Sequence, residues 1–272
     1  RQVTERGVAF RSHLDGQKIE LTPESVIELQ TDYGSDIMMP LDELAGYDAS
    51  LNEQRAAAER TIRWLERTVD HYSSGHAFEG HDRGLLFGIA QGGFDAVTRT
   101  EQAQQTAAFP VDGYSIGGLS VGEEKSEMLT MLDASIAGLP ADKPRYLMGV
   151  GSPEDLWEAV SRGVDMFDCV HPTRVARRGA FFTLDGRINI TAARYRRQFA
   201  PVDEECDCYT CTTFSAAYLN HLFRAGEMLG PRLATIHNLR FFHRITEQMR
   251  SAIKSGEFVS QRNEFLSRYV PV

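Results

Sequence analysis

Short apolar runs alternate with helical patterns along most of this chain. The runs fall at 36–39, 85–89, 113–116, 146–148 and 166–169. Between them, apolar positions recur at the three- and four-residue spacing of a helix with one buried face. Over 52–72, Ile62, Leu65, Val69 and Tyr72 share such a face, and Glu59 stands four residues before Arg63 on the polar side. Further helices are predicted over 94–108, 124–137 and 153–162. Two helix starts carry their own punctuation. Ser152 precedes Pro153 and Glu154, and Thr22 precedes Pro23 and Glu24, each a capping hydroxyl followed by proline in the first turn.

Strands separated by helices lie parallel, in a doubly wound sheet or a barrel. No GxGxxG or GxxxxGKS/T follows any run, which weakens a nucleotide-binding reading. The runs lead instead into Pro40-Leu41-Asp42, Ala90-Gln91-Gly92-Gly93, Gly117-Gly118-Leu119, Gly149-Val150-Gly151 and Asp168. Polar groups and close-approach glycines thus gather at the C-terminal strand ends, where a (β/α)8 barrel keeps its active site. The expected fold is α/β, a (β/α)8 TIM barrel with about five of its eight strands in this chain and the other three before Arg1. The chain opens on Arg and no leader pattern follows, so a piece of a longer protein or a processed product is expected.

Beyond Arg174 the pattern changes. "GAFFTLDGRINI" reads as a hairpin around Asp185-Gly186, and helices follow over 214–228, 232–254 and 257–269. In the long helix, Leu239, Phe242, Met249 and Ile253 form the stripe expected to face the core. Between hairpin and helices lies Cys206-Asp207-Cys208-Tyr209-Thr210-Cys211, which holds three of the chain's 4 cysteines. Three thiolates this close suit one soft cation rather than disulfides, and tetrahedral zinc needs a fourth ligand. His221, His237 and His243 are the candidates, and a closed protein ligand set makes the site structural. The expected division is a barrel portion over 1–180 and a zinc-binding subdomain with closing helices over 181–272.

Composition is that of a soluble globular protein, and no apolar run approaches the ~18 residues of a membrane span. A net charge of −9 argues against an indiscriminate nucleic-acid coat. The charge is uneven, however. Residues 172–200 hold Arg174, Arg177, Arg178, Arg187, Arg194, Arg196 and Arg197 against Asp185 alone, a +6 stripe on a body carrying −15. Such a stripe fits phosphates, or is a solvated, partly paired surface. Asp42 and Asp168, at two strand ends, suit chemistry at an anomeric carbon, or are turn aspartates. Gln91 and the backbone N–H groups near Gly118 could read a carbonyl, or the glycines could be a plain turn.

Six ordered stretches carry a resemblance to a known family. "GSDIMMPLDE" (34–43), "FGIAQGG" (87–93), "GGLSVGE" (117–123), "YLMGVG" (146–151), "MFDCVHPTR" (166–174) and the CDCYTC cluster with His237 resemble the tRNA-guanine transglycosylases, or queuine tRNA-ribosyltransferases, across nearly the whole chain. The resemblance implies a (β/α)8 barrel with a zinc subdomain. It implies exchange of guanine at the wobble position, in the tRNA anticodon region, for a 7-deazaguanine. Asp168 is then the nucleophile that attacks the ribose anomeric carbon and forms a covalent ribosyl–enzyme intermediate. Asp42 accepts from the N–H edge of the base, while Gln91 and the Gly118 N–H donate to its carbonyl. Leu119 lies at the 7-substituent and Met148 packs on a base face. Arg174, Arg177 and Arg178 grip phosphates, and zinc is held by Cys206, Cys208, Cys211 and His237. A cytoplasmic homodimer is implied as well.

This sequence departs from the family pattern in two places. The DSGGFQ-type motif, with the general acid/base Asp and a stacking aromatic, is not in this chain and is expected before Arg1. Leu44 stands where many bacterial members have Cys, which bears on substrate preference, whereas Val121 resembles the bacterial enzymes. Two other readings compete. One is a non-catalytic accessory tRNA-binding subunit of the same family; the other is a barrel glycosidase using Asp42 and Asp168.

Overall fold

The computed structural model describes residues 1–78, 80 and 82–270, with nothing stated for the side chain of His76. The chain folds as two compact units, Arg1–Val150 with Arg162–Phe167, and Gly151–Ser161 with Asp168–Val272.

The first unit opens with an antiparallel meander, β1 (Gln2–Val3), β2 (Val8–Arg11) and β3 (Lys18–Leu21). Its strands alternate only weakly in burial, and the hydropathy pattern predicts no element there. Then come α1 (Pro23–Asp32), β4 (Ile37–Met38), α2 (Leu51–Ser74), β5 (Leu85–Ala90), α3 (Ala96–Ala107), β6 (Gly113–Ile116), α4 (Lys125–Gly138) and β7 (Arg145–Leu147). The second unit's α5 (Pro153–Val160) precedes β8 (Met166–Phe167), which returns to the first unit's sheet. The five strands expected from the apolar runs form one parallel sheet in the order β4-β5-β6-β7-β8, a curled half-barrel. Chain order equals sheet order, as successive β-α-β units in a barrel wall require.

Local chemistry explains the boundaries. Thr22 caps α1 with Pro23 in the first turn, and Ser152 caps α5 with Pro153, as expected. Ser50 and Glu53 form a reciprocal capping box on α2, which Gly75 ends at φ 78°. Two aspartates join neighbouring strand starts. Asp112 accepts from Leu86 N at 2.8 Å, and Asp165 accepts from Arg145 N at 2.9 Å. β6 is buried at every position and β5 at all but its first, which marks a sheet covered on both faces. Trp64, Leu65, Leu86, Phe87, Tyr114, Ile116 and Leu147 form its core.

The second unit holds α5, then α6 (His171–Ala176), the hairpin β9 (Ala180–Thr183) and β10 (Gly186–Asn189), α7 (Tyr209–Thr213), α8 (Ala216–Ala225), α9 (Leu229–Ser255) and α10 (Phe258–Arg268). The expected hairpin forms, but its turn is Leu184-Asp185, one residue before the expected Asp185-Gly186, because Gly186 already pairs with Thr183. Pro172 sits in the first turn of α6, a short helix that the sequence pattern does not predict.

The expected core face of α9 is corrected. Leu239 is 43% and Ile253 55% exposed, whereas His237, Asn238, Phe241, Ile245, Met249 and Ala252 are buried. The rotation has a polar cause. Asn238 accepts from Phe182 N at 3.1 Å and donates to Pro172 O at 2.9 Å and Ala180 O at 3.0 Å, so it stitches α9 to α6 and β9. Three hydrogen bonds in a dry interior outweigh the burial of one extra leucine face. Among the described residues no helix is long and apolar enough to cross a membrane.

Candidate functional site

The C-terminal ends of β4, β5, β6 and β7 collect the first unit's chemistry. After β4, Gln30 holds Met39 from both sides, accepting from its N at 2.8 Å and donating to its O at 2.8 Å. Four residues on, Glu43 N donates to Thr61 Oγ1 at 3.0 Å, and the Glu43 carboxylate pairs with Arg60. Asp42 is thus strung between two fixed points. Its half-buried carboxylate accepts from Gln91 Nε2 at 2.6 Å. Desolvation pushes the Asp42 carboxyl above the usual carboxylate range, only partly opposed by the Gln91 hydrogen bond. The group is an acceptor with little water around it, opposite an amide.

The glycines after β6 form the wall beside that amide. A Cβ on Gly117 would lie 2.5 Å from Gln91 Nε2, and one on Gly118 would lie 2.5 Å from Gln91 Oε1. Gly118 also has φ 72°, so glycine is required there for both space and conformation. Leu119 follows, 3% exposed, and then Ser120 at φ 61°, the one non-glycine residue with positive φ among those described. Glu123 accounts for that strain. Its carboxylate accepts from the backbone N–H groups of Ser120, Val121 (2.8 Å) and Gly122 (3.1 Å), curling the loop around an anion. Met148, half-buried, follows β7, and its N donates to Ile116 O at 3.2 Å.

Sequence reasoning missed the group behind this wall. Arg99, on α3, is fully buried and donates to Gly93 O, Gly117 O and Ser135 Oγ. The polar face of α3 resembles a solvated one, and nothing in the residue string marks this arginine as interior. Glu43 with Arg60, and the Glu123 turn, escaped as well.

Asp168 follows β8 directly and belongs to the second unit, where it is exposed. Next to it, Cys169 is half-buried, and its Sγ accepts from His171 N at 3.3 Å. A Cβ on Gly151 would lie 2.3 Å from Cys169 Cβ, so the thiol is packed against backbone, and its burial raises its pKa. Arg174, Arg177 and Arg178 are exposed on and just after α6.

The cysteine cluster closes in the second unit. Cys206, Cys208 and Cys211 Sγ and a His237 ring nitrogen all lie within 4.8 Å of one another, and all four residues are buried. His237 Nδ1 is 3.3 Å from Cys211 Sγ and 3.6 Å from Cys208 Sγ. These separations suit ligands on a tetrahedron with bonds of about 2.0–2.3 Å. His237 Nε2 lies 2.7 Å from Phe182 O, which assigns the proton to Nε2 and leaves the Nδ1 lone pair facing the sulfurs. Hydrogen bonds from Cys206 and Cys211 pull the Cys208 thiol well below its ordinary range, so the cluster already favours a thiolate. The donor set fits a metal ion. α9 begins at Leu229, three residues before the expected 232, and its buried face turns His237 onto the cluster.

A family model described as queuine tRNA-ribosyltransferase matches residues 1–271. The chain belongs to that family. Among its relatives, the queuine tRNA-ribosyltransferase of Dictyoglomus turgidum is 48% identical over 270 residues, 99% of this chain and 69% of the relative. Those of Herpetosiphon aurantiacus and Bacillus subtilis are 52% and 48% identical, covering 98% and 99% of this chain and 67% and 69% of their own lengths. The family's activity, a pentosyl transfer involving tRNA and a guanine-type base, agrees with an acceptor and donor array at the strand ends.

Proposed function

We propose that this protein exchanges the wobble guanine of its target tRNAs for a 7-deazaguanine through a covalent intermediate on Asp168. The observation that carries the reading is the placement of Asp42 beside the Gln91 amide and the glycine turn. A guanine-type base presents N–H donors on one edge and a carbonyl next to them. Asp42 accepts from the donors. Gln91 spends one N–H on Asp42 and keeps the other for the carbonyl, together with the Gly118 N–H. Leu119 borders the 7-position and Met148 covers a ring face. The base leaves its anticodon stack to enter such a site.

The chemistry is a double displacement. An Asp168 oxygen forms a bond to the ribose anomeric carbon as the carbon–nitrogen bond to guanine breaks, and the bonding pair leaves on the base. The incoming base's ring nitrogen, having lost its proton, then attacks the same carbon and releases the carboxylate. Arg174, Arg177 and Arg178 hold phosphates on either side. Zinc on Cys206, Cys208, Cys211 and His237 supplies structure and no chemical step, because a closed protein ligand set leaves no open position. The C-terminal part of a (β/α)8 barrel over 1–180, a zinc subdomain with closing helices over 181–272, a homodimer and a cytoplasmic setting belong to the same reading.

With tRNA and labelled guanine, the protein incorporates label. Denaturing electrophoresis traps a protein–tRNA adduct with wild type and none with Asp168→Ala. An Asp168→Ala protein that still exchanges guanine at the wild-type rate removes the nucleophile assignment.

A further inference from the structure

The cation behind the glycine wall has no role in the double displacement. Arg99 is fully buried, and its guanidinium donates hydrogen bonds to carbonyls and a hydroxyl and to no carboxylate. Nε donates to Gly93 O at 2.9 Å, Nη1 to Gly117 O at 3.1 Å and Ser135 Oγ at 3.2 Å, and Nη2 to Gly118 O at 3.5 Å. Burial lowers its pKa to about 10, so it stays charged at neutral pH. The Glu123 carboxylate opposes that shift through space, yet every group the guanidinium hydrogen-bonds is neutral, so its burial is costly.

Peptide geometry indicates a use. Among the described residues no peptide is cis, and in a trans peptide the C=O and N–H point in opposite directions. A grip on Gly117 O therefore aims the Gly118 N–H away from Arg99. The same side chain fixes the neighbouring turn. It holds Gly93 O, while the other end of that peptide, Phe94 N, donates to Gln54 Oε1 at 2.8 Å. One residue thus ties the turn after Gln91 to the turn that carries Gly118. A carbonyl that accepts from a cation makes its own N–H a stronger donor.

We propose that Arg99 is a positioning residue for base recognition, acting through the Gly117–Gly118 peptide to aim and polarise the N–H that meets the purine carbonyl. The inference rests on the base-exchange reading. When the glycosidic bond breaks, the electron pair passes into the base and part of that charge reaches the carbonyl oxygen. A donor backed by a buried cation is worth most at that moment.

The test compares wild type, R99M and R99K in guanine exchange, with separate KM values for guanine and tRNA. Competition by 2-aminopurine, which lacks the carbonyl and with it the N1–H, supplies the selective readout, because the loss at Asp42 is common to wild type and variant and only the carbonyl contact changes with Arg99. R99M is expected to raise KM for guanine and lower kcat by about tenfold each, less than direct removal of an oxyanion donor. Its KM for tRNA stays within about twofold, and its preference for guanine over 2-aminopurine shrinks by about tenfold. R99K loses less than R99M because it keeps the charge, and still falls short of wild type because one ammonium cannot bridge Gly93 O and Gly117 O together. A folded R99M with the wild-type preference for guanine overturns the proposal. If R99M does not fold, an R99K protein with that unchanged preference overturns it. A wild-type protein that incorporates no guanine removes the base-exchange reading and this inference with it. An active wild type with unmoved variants removes this inference alone.

Discussion

Replacing Gly118 with alanine separates two costs that the structure places on one residue. The first is conformational. At φ 72° an L-residue is disfavoured by about 1–2 kcal/mol. The second is collision. The new methyl would stand 2.5 Å from Gln91 Oε1 and 3.1 Å from Leu44 Cδ1, so the Gln91 amide must rotate away and its 2.6 Å bond to Asp42 breaks. A hydrogen bond to a charged group contributes about 1.5–3 kcal/mol. Gly34→Ala is the matched control, since Gly34 has φ 67° with nothing within 4 Å of its built Cβ. Gly34→Ala should lose about 1–2 kcal/mol of stability in urea melts, and Gly118→Ala that amount plus about 1.5–3 kcal/mol for the broken bond. Only Gly118→Ala should lose guanine exchange, by about 10- to 100-fold in kcat/KM for the base. The KM for tRNA should stay near wild type. A Gly118→Ala protein that keeps its kcat/KM within about twofold refutes the close packing of amide and glycine from which the loss is derived.

Three further outcomes follow from the site. Asp42 has a raised pKa, so its ionised form is held at a cost that is present above the folded pKa and vanishes as pH falls below the unfolded one. Asp42→Asn should therefore raise the melting temperature at neutral pH while lowering kcat/KM for guanine by about 100-fold or more; unchanged stability across pH 3 to 8 counts against the raised pKa. Cys211→Ala removes one of four buried ligands. Metal analysis should fall from about one zinc per chain toward none, with loss of helical signal from the second unit; a full equivalent retained rejects the closed set. Reversing Arg174 and Arg177 to Glu should weaken tRNA binding and flatten its salt dependence by about one unit of slope for each phosphate no longer neutralised, and an unchanged slope leaves them as ordinary surface.

The strand runs were legible because they are mostly apolar on both faces and end at or within three residues of glycine, proline or an acid. The capped helices were legible because Ser-Pro and Thr-Pro starts have a local physical cause. The metal group was readable for the same reason, since three thiolates in six residues need no tertiary information. Its histidine was not. Choosing His237 among three requires knowing where α9 begins and which way it faces. That face is set by Asn238, whose three bonds reach residues 56 to 66 positions away in the chain. Periodicity weighs apolar positions and is blind to one amide that completes several distant backbones.

Arg99 shows the same limit from the side of charge. Thr98, Arg99, Gln102 and Thr106 are all buried on α3, so the face that a hydropathy pattern gives to water is the one turned inward. What makes this tolerable is the excess of unpaired carbonyls where two glycine turns meet. Glycine lets the backbone come close to Gln91, and that closeness leaves the carbonyls of Gly93, Gly117 and Gly118 pointing back into the protein. Buried carbonyls need donors. A neutral side chain could satisfy one or two, whereas a guanidinium satisfies three and adds a positive potential behind the N–H groups that face outward. The recognition glycines and the buried arginine are therefore one device. The turns can approach the base closely because Arg99 takes up the carbonyls that this approach strands.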